Sequence, residues 1–509
     1  MKKIQLLFLT FLIPILSFAQ EKGLDQRIDE AFAPISNFFS KTVFFEIAGY
    51  PFVILLLIGS AVFFTVYFGF PNIRYFWTSI NVVRGKYDDV EKSDSDSSDG
   101  EVSHFQALAT AVSGTVGNGN IAGVALAIAL GGPGATFWMV ICGLLGMSSK
   151  FVECTLGVQY RDVGDDGTIY GGPMYYLTKG LKEKGFKTLG KVAAVFFAIF
   201  CIGGSFGGGN AAQSNQATIV LKQLLGLEST SSGAIIGLVM AILVGIIIIG
   251  GIKRIASVTE KIVPFMALLY LMACLYILLV NFSLVDDAIA LIIKEAFNPT
   301  AMGVGGFIGV LMVGFKRAAF SNEAGVGSAS IAHSAVKTKY SASEGLVALL
   351  EPFIDTVVIC TMTALVIIIF NFGGAFEYGG DGMGIVLIDG VPYEGAGITS
   401  KAFAEYIPYS GVFLTIAVVL FAVSTMISWS YYGLQSWKYL FGRGRIADLT
   451  YKLIFCMFVV IGSAASMSSI WDFSDAMIFA MVFPNMIGLF FLFPVVKEQL
   501  NKYLEAIKS

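Results

Sequence analysis

A chain of 509 residues that is 56% hydrophobic and only 14% charged holds far more apolar surface than one soluble core can bury, which places it among polytopic membrane proteins. The net charge of −3 and the lack of a basic patch interleaved with aromatics exclude a nucleic-acid partner. The six cysteines (Cys142, Cys154, Cys201, Cys274, Cys360, Cys456) lie in apolar segments without a Cys-x-x-Cys, so they read as small buried hydrophobes. The two histidines, His104 and His333, are too few and too far apart in sequence to mark a metal site, and no cofactor is implied.

In chain order, Lys2 and Lys3 precede an apolar run from Leu6 to Leu16, and Ser17-Phe18-Ala19 supplies small residues, so 1–19 is expected to be a cleaved signal peptide. Within 20–49, Leu24, Ile28, Phe32 and Ile35 recur at helical spacing among Asp25, Arg27, Asp29 and Glu30, which predicts an amphipathic helix at the outer interface. An extra N-terminal membrane helix is expected at 50–70, then a cytoplasmic linker over 71–103 whose run from Asp94 to Asp99 reads as disordered. Ten further spans follow near 104–130, 134–158, 190–226, 233–252, 256–281, 301–335, 343–371, 408–438, 450–469 and 474–496, eleven in the mature chain. Assigning alternate loops to opposite sides puts 25 Lys/Arg on one side and 6 on the other. The loops Arg74 to Lys92, Arg161 to Lys191, Lys253 to Lys261 and Lys316 to Lys339, with Lys438 to Lys452 and the tail 497–509, are therefore expected to be cytoplasmic. The mature N-terminus is then outside a multi-pass plasma (inner) membrane protein.

The second span contains Ser113-Gly114-Thr115-Val116-Gly117-Asn118-Gly119-Asn120. Each glycine costs roughly 1 kcal/mol in a helix interior, and buried asparagine amides need partners, so a broken helix is expected here. Irregular backbone at membrane depth is tolerated where it lines a cavity, and freed amides and carbonyls can bind a solute there. A shift of 210 residues lays Val116-Gly117 on Val326-Gly327 and Ile121-Ala122 on Ile331-Ala332, so a second break is expected at Glu323 to Ser330. Five spans separate the two breaks. An odd number gives the halves 104–281 and 301–496 opposite topology, joined by an outer loop over 282–300, as in many transporters.

Gly131-Gly-Pro-Gly-Ala135-Thr-Phe137-Trp138-Met139, Gly171-Gly-Pro-Met-Tyr-Tyr176, Phe206-Gly-x-Gly-Asn210-x-x-Gln213 and Phe320-Ser-Asn-Glu-Ala-Gly325-x-Gly-Ser328 resemble the alanine or glycine:cation symporters over roughly 50–500. Asn118 stands where members more often carry threonine, Val140 where tryptophan is usual and Ser330 where proline is usual. Asn118 lies in the expected pocket, so that departure bears on the substrate. The resemblance implies an all-α, leucine-transporter-like fold of five plus five inverted spans behind one extra N-terminal helix. It also implies sodium-coupled symport of a small neutral amino acid, alanine and/or glycine.

A zwitterion needs donors for its carboxylate and acceptors for its ammonium. The amides of Gly117, Asn118 and Gly119, at the N-terminus of a half-helix, are the expected donors. Carbonyls near Phe320 and Ser321 and the side chains of Asn210 and Gln213 are expected acceptors, although Asn210 and Gln213 equally fit interhelical glue. Thr115 and Asn120 fit substrate or ion, and Glu323 fits a cap on freed amides or a cation ligand. Phe320 and Trp429 fall near the expected pocket and would restrict side-chain size. For sodium, Phe421, Ser424 and Thr425 share one helix face at i, i+3 and i+4, in the span where the implied fold keeps its ion, although such hydroxyls equally bond back to their own i−4 carbonyls; carbonyls of Ser113 and Val116 would complete the set. Glu351 and Asp355, on one helix face, and Glu153 beside Lys150 read as helix pairing near a cytoplasmic end. Gly117-x-Gly119-x-x-Ala122 matches a dinucleotide fingerprint but no strand precedes it. A proton-coupled carrier, with Glu323 titrating, is the alternative. Dispersed histidines and no acidic pair near the breaks argue against an enzyme, and two inverted breaks in one chain argue against a channel. The oligomeric state is left open.

Overall fold

The computed structural model describes residues 23–91, 100–165, 167–227, 229, 231–298, 306–379, 382 and 384–508. The expected leader and the run from Asp94 to Asp99 lie outside the described residues. Helices dominate. Among the described residues seven are long and apolar enough to cross a membrane, or eight if the bent pair of α3 (His104–Thr115) and its continuation through Gly119–Gly131, at 51° to each other, is one span.

The first helix, α1 (Leu24–Val43), turns Phe32 and Ser36 to the bundle and leaves Ile35 and Phe38 exposed. Its acids serve as caps. The Asp25 carboxylate accepts from the amides of Gly233 and Ala234, both at 3.2 Å, and from Lys222 at 3.1 Å, while Asp29 accepts from the Ser466 amide at 2.9 Å. The helix therefore lies over one end of the bundle. After α2 (Phe52–Tyr67), Ser103 begins α3 with a capping box, its hydroxyl accepting from the Gln106 amide and its own amide donating to the Gln106 side chain.

After the first break come α4 (Val124–Gly131) and α5 (Gly134–Gln159), then α6 (Pro173–Glu183), α7 (Lys187–Phe206) and α8 (Ala212–Leu225), with a π-helical turn over Gly207–Ala211 between the last two. Next are α9 (Ser232–Ile248) and α10 (Gly251–Val280). The expected loop 282–300 contains a sixteen-residue helix, α11 (Phe282–Phe297). The second broken element is α12 (Gly306–Asn322) and α13 (Ala329–His333), followed by α14 (Ser341–Ala348), a π-helical stretch over Phe353–Cys360 and α15 (Thr361–Phe370). A short hairpin, Val386–Ile388 with Val391–Tyr393, and α16 (Ala396–Tyr406) lead to α17 (Ser410–Phe441), α18 (Arg445–Ala464) and α19 (Met467–Ala506).

Small residues let the helices approach. A Cβ on Gly462 of α18 would sit 2.4 Å from the Ala211 backbone, and one on Gly237 of α9 would sit 2.9 Å from Val460 Cα. Such contacts hold helices together where lipid removes the hydrophobic drive between them. Lys316 and Arg317, counted above with a basic loop, belong to α12. Both pair with Asp475 of α19, Lys316 at 2.9 Å, and Lys316 lies 4.4 Å over the Phe44 ring. They therefore sit toward the α1 end, and the basic loop at the other end retains Lys337 and Lys339. A helix carries a charge wherever a partner on the next helix meets it, and loop counting does not register that.

Candidate functional site

The first break follows from its own side chains. With no side chain at Gly117, its backbone packs so closely on α17 that a Cβ would lie 2.4 Å from Thr425 Oγ1. The Gly117 amide donates to Asn120 Oδ1 at 2.8 Å, and the Asn118 amide donates to Gln213 Oε1 at 2.9 Å. Two of the three expected carboxylate donors are thus already taken within the protein, and Gly119 is the one that borders the cavity. Asn118 Nδ2 donates to the Gln213 carbonyl, and Asn118 Oδ1 is buried with no hydrogen-bond partner among the described residues.

At the second break the helix ends at Asn322, and Glu323, Gly325 and Gly327 take φ of 55°, 83° and 95°. Left-handed backbone is cheap for glycine and costly for glutamate. Asn322 Oδ1 accepts from the Ala324 amide at 3.0 Å. The Glu323 carboxylate accepts from Ser328 Oγ at 2.5 Å and from Trp429 Nε1 at 2.8 Å, which ties the second break to α17.

Between the breaks lies a small cavity, lined by Gly114, Thr115, Gly119, Gly208, Gln213, Phe320, Ser321, Glu323, Thr425, Trp429 and Ile478. Toward the α1 end the Phe320 ring stacks on Trp471 with centroids 5.0 Å apart, and the Arg317 guanidinium lies over both rings. Of the sequence-derived residues, Thr115, Gly119, Gln213, Phe320, Ser321, Glu323, Thr425 and Trp429 reach the cavity. Asn210 does not, because its amide donates to the Phe455 carbonyl at 2.7 Å and holds the π-turn against α18. Gly114, Gly208 and Ile478 were missed. Gly208 carried a usable signal, since it stands in a run of three glycines in an otherwise apolar span; Ile478 carried none.

Asp355 lies deeper than its expected place near a helix end. Its carboxylate accepts from Asn120 Nδ2 at 2.6 Å, Ser321 Oγ at 3.2 Å and Thr356 Oγ1 at 2.7 Å, so one carboxylate touches both breaks. With Glu323, two acidic side chains stand at the breaks, where the sequence showed no acidic pair; helical phase alone does not say how deep a face sits. Glu351 does pair, with Lys150 at 3.0 Å.

The expected sodium residues also converge. Thr425 Oγ1 donates to the Ser113 carbonyl at 3.0 Å, Ser113 Oγ donates to the Ser424 carbonyl at 2.9 Å, and Ser424 Oγ donates to the Phe421 carbonyl at 3.0 Å. The end of α3 and the middle of α17 thus present hydroxyls and carbonyls of Ser113, Phe421, Ser424 and Thr425 to one another beside the cavity.

The chain matches the model of the sodium:alanine symporter family over residues 35–509. It is 40% identical over 460 residues to the sodium/alanine symporter AgcS of Methanococcus maripaludis, covering 90% of this chain and 95% of that one. It is 32% identical over 459 residues to the probable sodium/glutamine symporter GlnT of Bacillus subtilis, covering 90% and 88%. Among solved structures, MhsT in complex with L-phenylalanine superposes with a TM-score of 0.53 at 15% identity, covering 77% of this chain and 89% of that one, a likeness of fold. The broken helices, the cavity between them and these matches make the chain a membrane transporter of leucine-transporter-like fold, not an enzyme, and a member of the sodium:alanine symporter family.

Proposed function

We propose that this protein imports a small neutral amino acid, alanine and/or glycine, together with sodium, by alternating access. The observation that carries this is the placement of one small cavity between two broken helices, polar along the breaks and closed by Phe320, Trp429 and Ile478. The substrate carboxylate meets the Gly119 end of the second half-helix, where the dipole favours an anion. The ammonium faces the carbonyls at Phe320 and Ser321, with the Glu323 carboxylate supplying negative charge. Sodium takes carbonyls of Ser113, Val116 and Phe421 with the hydroxyls of Ser424 and Thr425. Gln213 bonds the Asn118 amide and also borders the cavity, so it reports substrate occupancy to the broken helix. Asn120 serves the break itself.

The architecture in this proposal is eleven spans. The seven long helices and the bent pair are joined by the shorter apolar α2 and α9 and by the second broken element, Gly306–His333. The five-plus-five inverted repeat follows from the matching breaks, and the basic end faces the cytoplasm by the charge rule.

Proton coupling on the same scaffold has one observation in its favour. The hydrogen-bond partners found for Glu323 and Asp355 are neutral, so either carboxylate could carry a proton. Counterflow of labelled alanine in proteoliposomes against the twenty amino acids, with and without sodium, tests both. Sodium-dependent exchange confined to small side chains supports the proposal. Exchange indifferent to sodium that follows a pH gradient selects the proton, and no exchange of alanine or glycine rejects the substrate assignment.

A further inference from the structure

The chain has only two histidines, and each closes the same end of one broken element: His104 opens α3, and His333 closes α13. Both bond one carboxylate. Glu344 Oε2 takes His104 Nδ1, and Glu344 Oε1 takes His333 Nδ1 at 2.5 Å. The same two ends are also stitched by backbone, with Lys337 N donating to the Val102 carbonyl at 2.8 Å. The other nitrogen of His104, Nε2, lies 2.6 Å from Glu91 of the linker, and Glu91 also accepts from Tyr503 of the tail at 2.7 Å and Thr338 at 3.0 Å.

An ionised carboxylate only accepts hydrogen bonds, so a ring with a carboxylate on each nitrogen needs a proton on both. His104 meets that condition. Its further charged surroundings are Glu260, bonded to Gln106; Glu101, bonded to the Ile169 amide; and, beyond Glu344, His333, Glu351, Lys150 and Glu153. His104 and Glu91 keep 8% and 7% of their surface, whereas Glu344 and His333 keep none, so His104 is the ring that exchanges protons with water.

We propose that Glu344, His104 and Glu91 form a proton-dependent latch that holds the cytoplasmic halves of the two broken helices together. Opening this end requires α3 to leave α13 and α14, and therefore requires the His104 contacts to break. Loss of one proton from His104 turns a nitrogen lone pair toward a carboxylate. Cytoplasmic alkalinisation thus loosens the latch and shifts the population toward the inward-open state, and acidification holds it shut. The proton stays on its own side, so it regulates the cycle without being carried. The inference rests on the proposed alternating access and orientation, but its test needs no transport.

The test is a pulsed electron–electron distance in lipid nanodiscs between spin labels at Phe105→Cys on α3 and Lys187→Cys on α7, both exposed positions, with the six native cysteines replaced. A carboxylate on each nitrogen keeps both ring protons in place at neutral pH, so the parent is expected to lengthen this distance only on strong alkalinisation, between about pH 7 and about pH 11. Glu91→Gln offers the neutral ring a donor, so it should keep the short distance at both values. His104→Gln should show the long distance at both. A parent distance that ignores pH, or a Glu91→Gln protein as pH-sensitive as the parent, overturns the latch. The Glu91 variant decides the matter even where His104→Gln fails to fold. Sodium-dependent counterflow that persists alongside a failed distance test would leave the transport proposal standing and remove only this one.

Discussion

Thr425→Val separates an ion site from a mere helix contact. Valine keeps the volume and the β-branch of threonine and removes only the hydroxyl, so the packing around Gly117 is preserved. What is lost is the hydrogen bond from Thr425 Oγ1 to the Ser113 carbonyl at 3.0 Å, worth about 0.5–1.5 kcal/mol net. If the hydroxyl only fastens α17 to α3, that modest loss appears as a lower melting temperature and nothing else. If it also contributes an oxygen to sodium, about 1–2 kcal/mol leaves the ion's binding free energy, and half-activation by sodium rises by about 5- to 30-fold. The broken helix carries both the ion's carbonyls and the Gly119 edge of the cavity, so at sub-saturating sodium alanine affinity should fall as well, by no more than the factor by which sodium raises it, and should recover at saturating sodium. The assay is alanine binding and uptake in proteoliposomes across a sodium titration, with thermal unfolding measured on the same preparations. A Thr425→Val protein with a lower melting temperature but a sodium curve superimposed on the parent's would refute the ion site. A sodium shift without the reciprocal loss of alanine affinity would refute the coupling.

Ser424→Ala combined with Thr425→Ala should fold, lose more sodium dependence than Thr425→Val alone, and bind the amino acid more weakly in the same titration. Trp429→Ala should admit larger amino acids, since each methylene accommodated is worth ~1–3 kcal/mol; unchanged competition profiles in counterflow would make Trp429 a packing residue. Gly208→Ala would put a Cβ 2.3 Å from Ile478 Cδ1 and 3.4 Å from the Phe320 ring, so alanine uptake should fall more than glycine uptake, and an equal fall in both would count against Gly208 as a wall of the pocket. Glu351→Gln leaves the fully buried Lys150 without its 3.0 Å partner and should cost about 3–5 kcal/mol, read as a lower melting temperature in detergent; no change would mean that Glu153 suffices. A cysteine at Gly379 should react with an impermeant thiol reagent from outside the cell while a reporter after Ser509 is cytoplasmic, and the reverse pattern would invert the orientation.

Composition and local patterning determined the class of this protein, the presence of long apolar helices and the position of both helix breaks. These are local facts, because a Gly/Asn/Ser run is costly in a membrane helix whatever lies around it. Helical spacing also put Phe421, Ser424 and Thr425 on one face, the resembling motifs and the second break pointed to Gln213, Phe320 and Glu323, and Trp429 was placed by its position on the span that carries Ser424 and Thr425. Partner choice was not legible. Asn210 and Gln213 are three residues apart on one face, yet one bonds the Phe455 carbonyl and the other the first break. The tertiary structure alone decided that Gly117 and Asn118 spend their amides on Asn120 and Gln213, that Asp355 touches both breaks, that Lys316 and Arg317 pair with Asp475 toward the α1 end, and that the two histidines meet on Glu344. The reason is geometric. A sequence gives the phase of each helix about its own axis, but hydrogen bonds and ion pairs form over about 3 Å and depend on how far each helix is rotated and slid against neighbours hundreds of residues away.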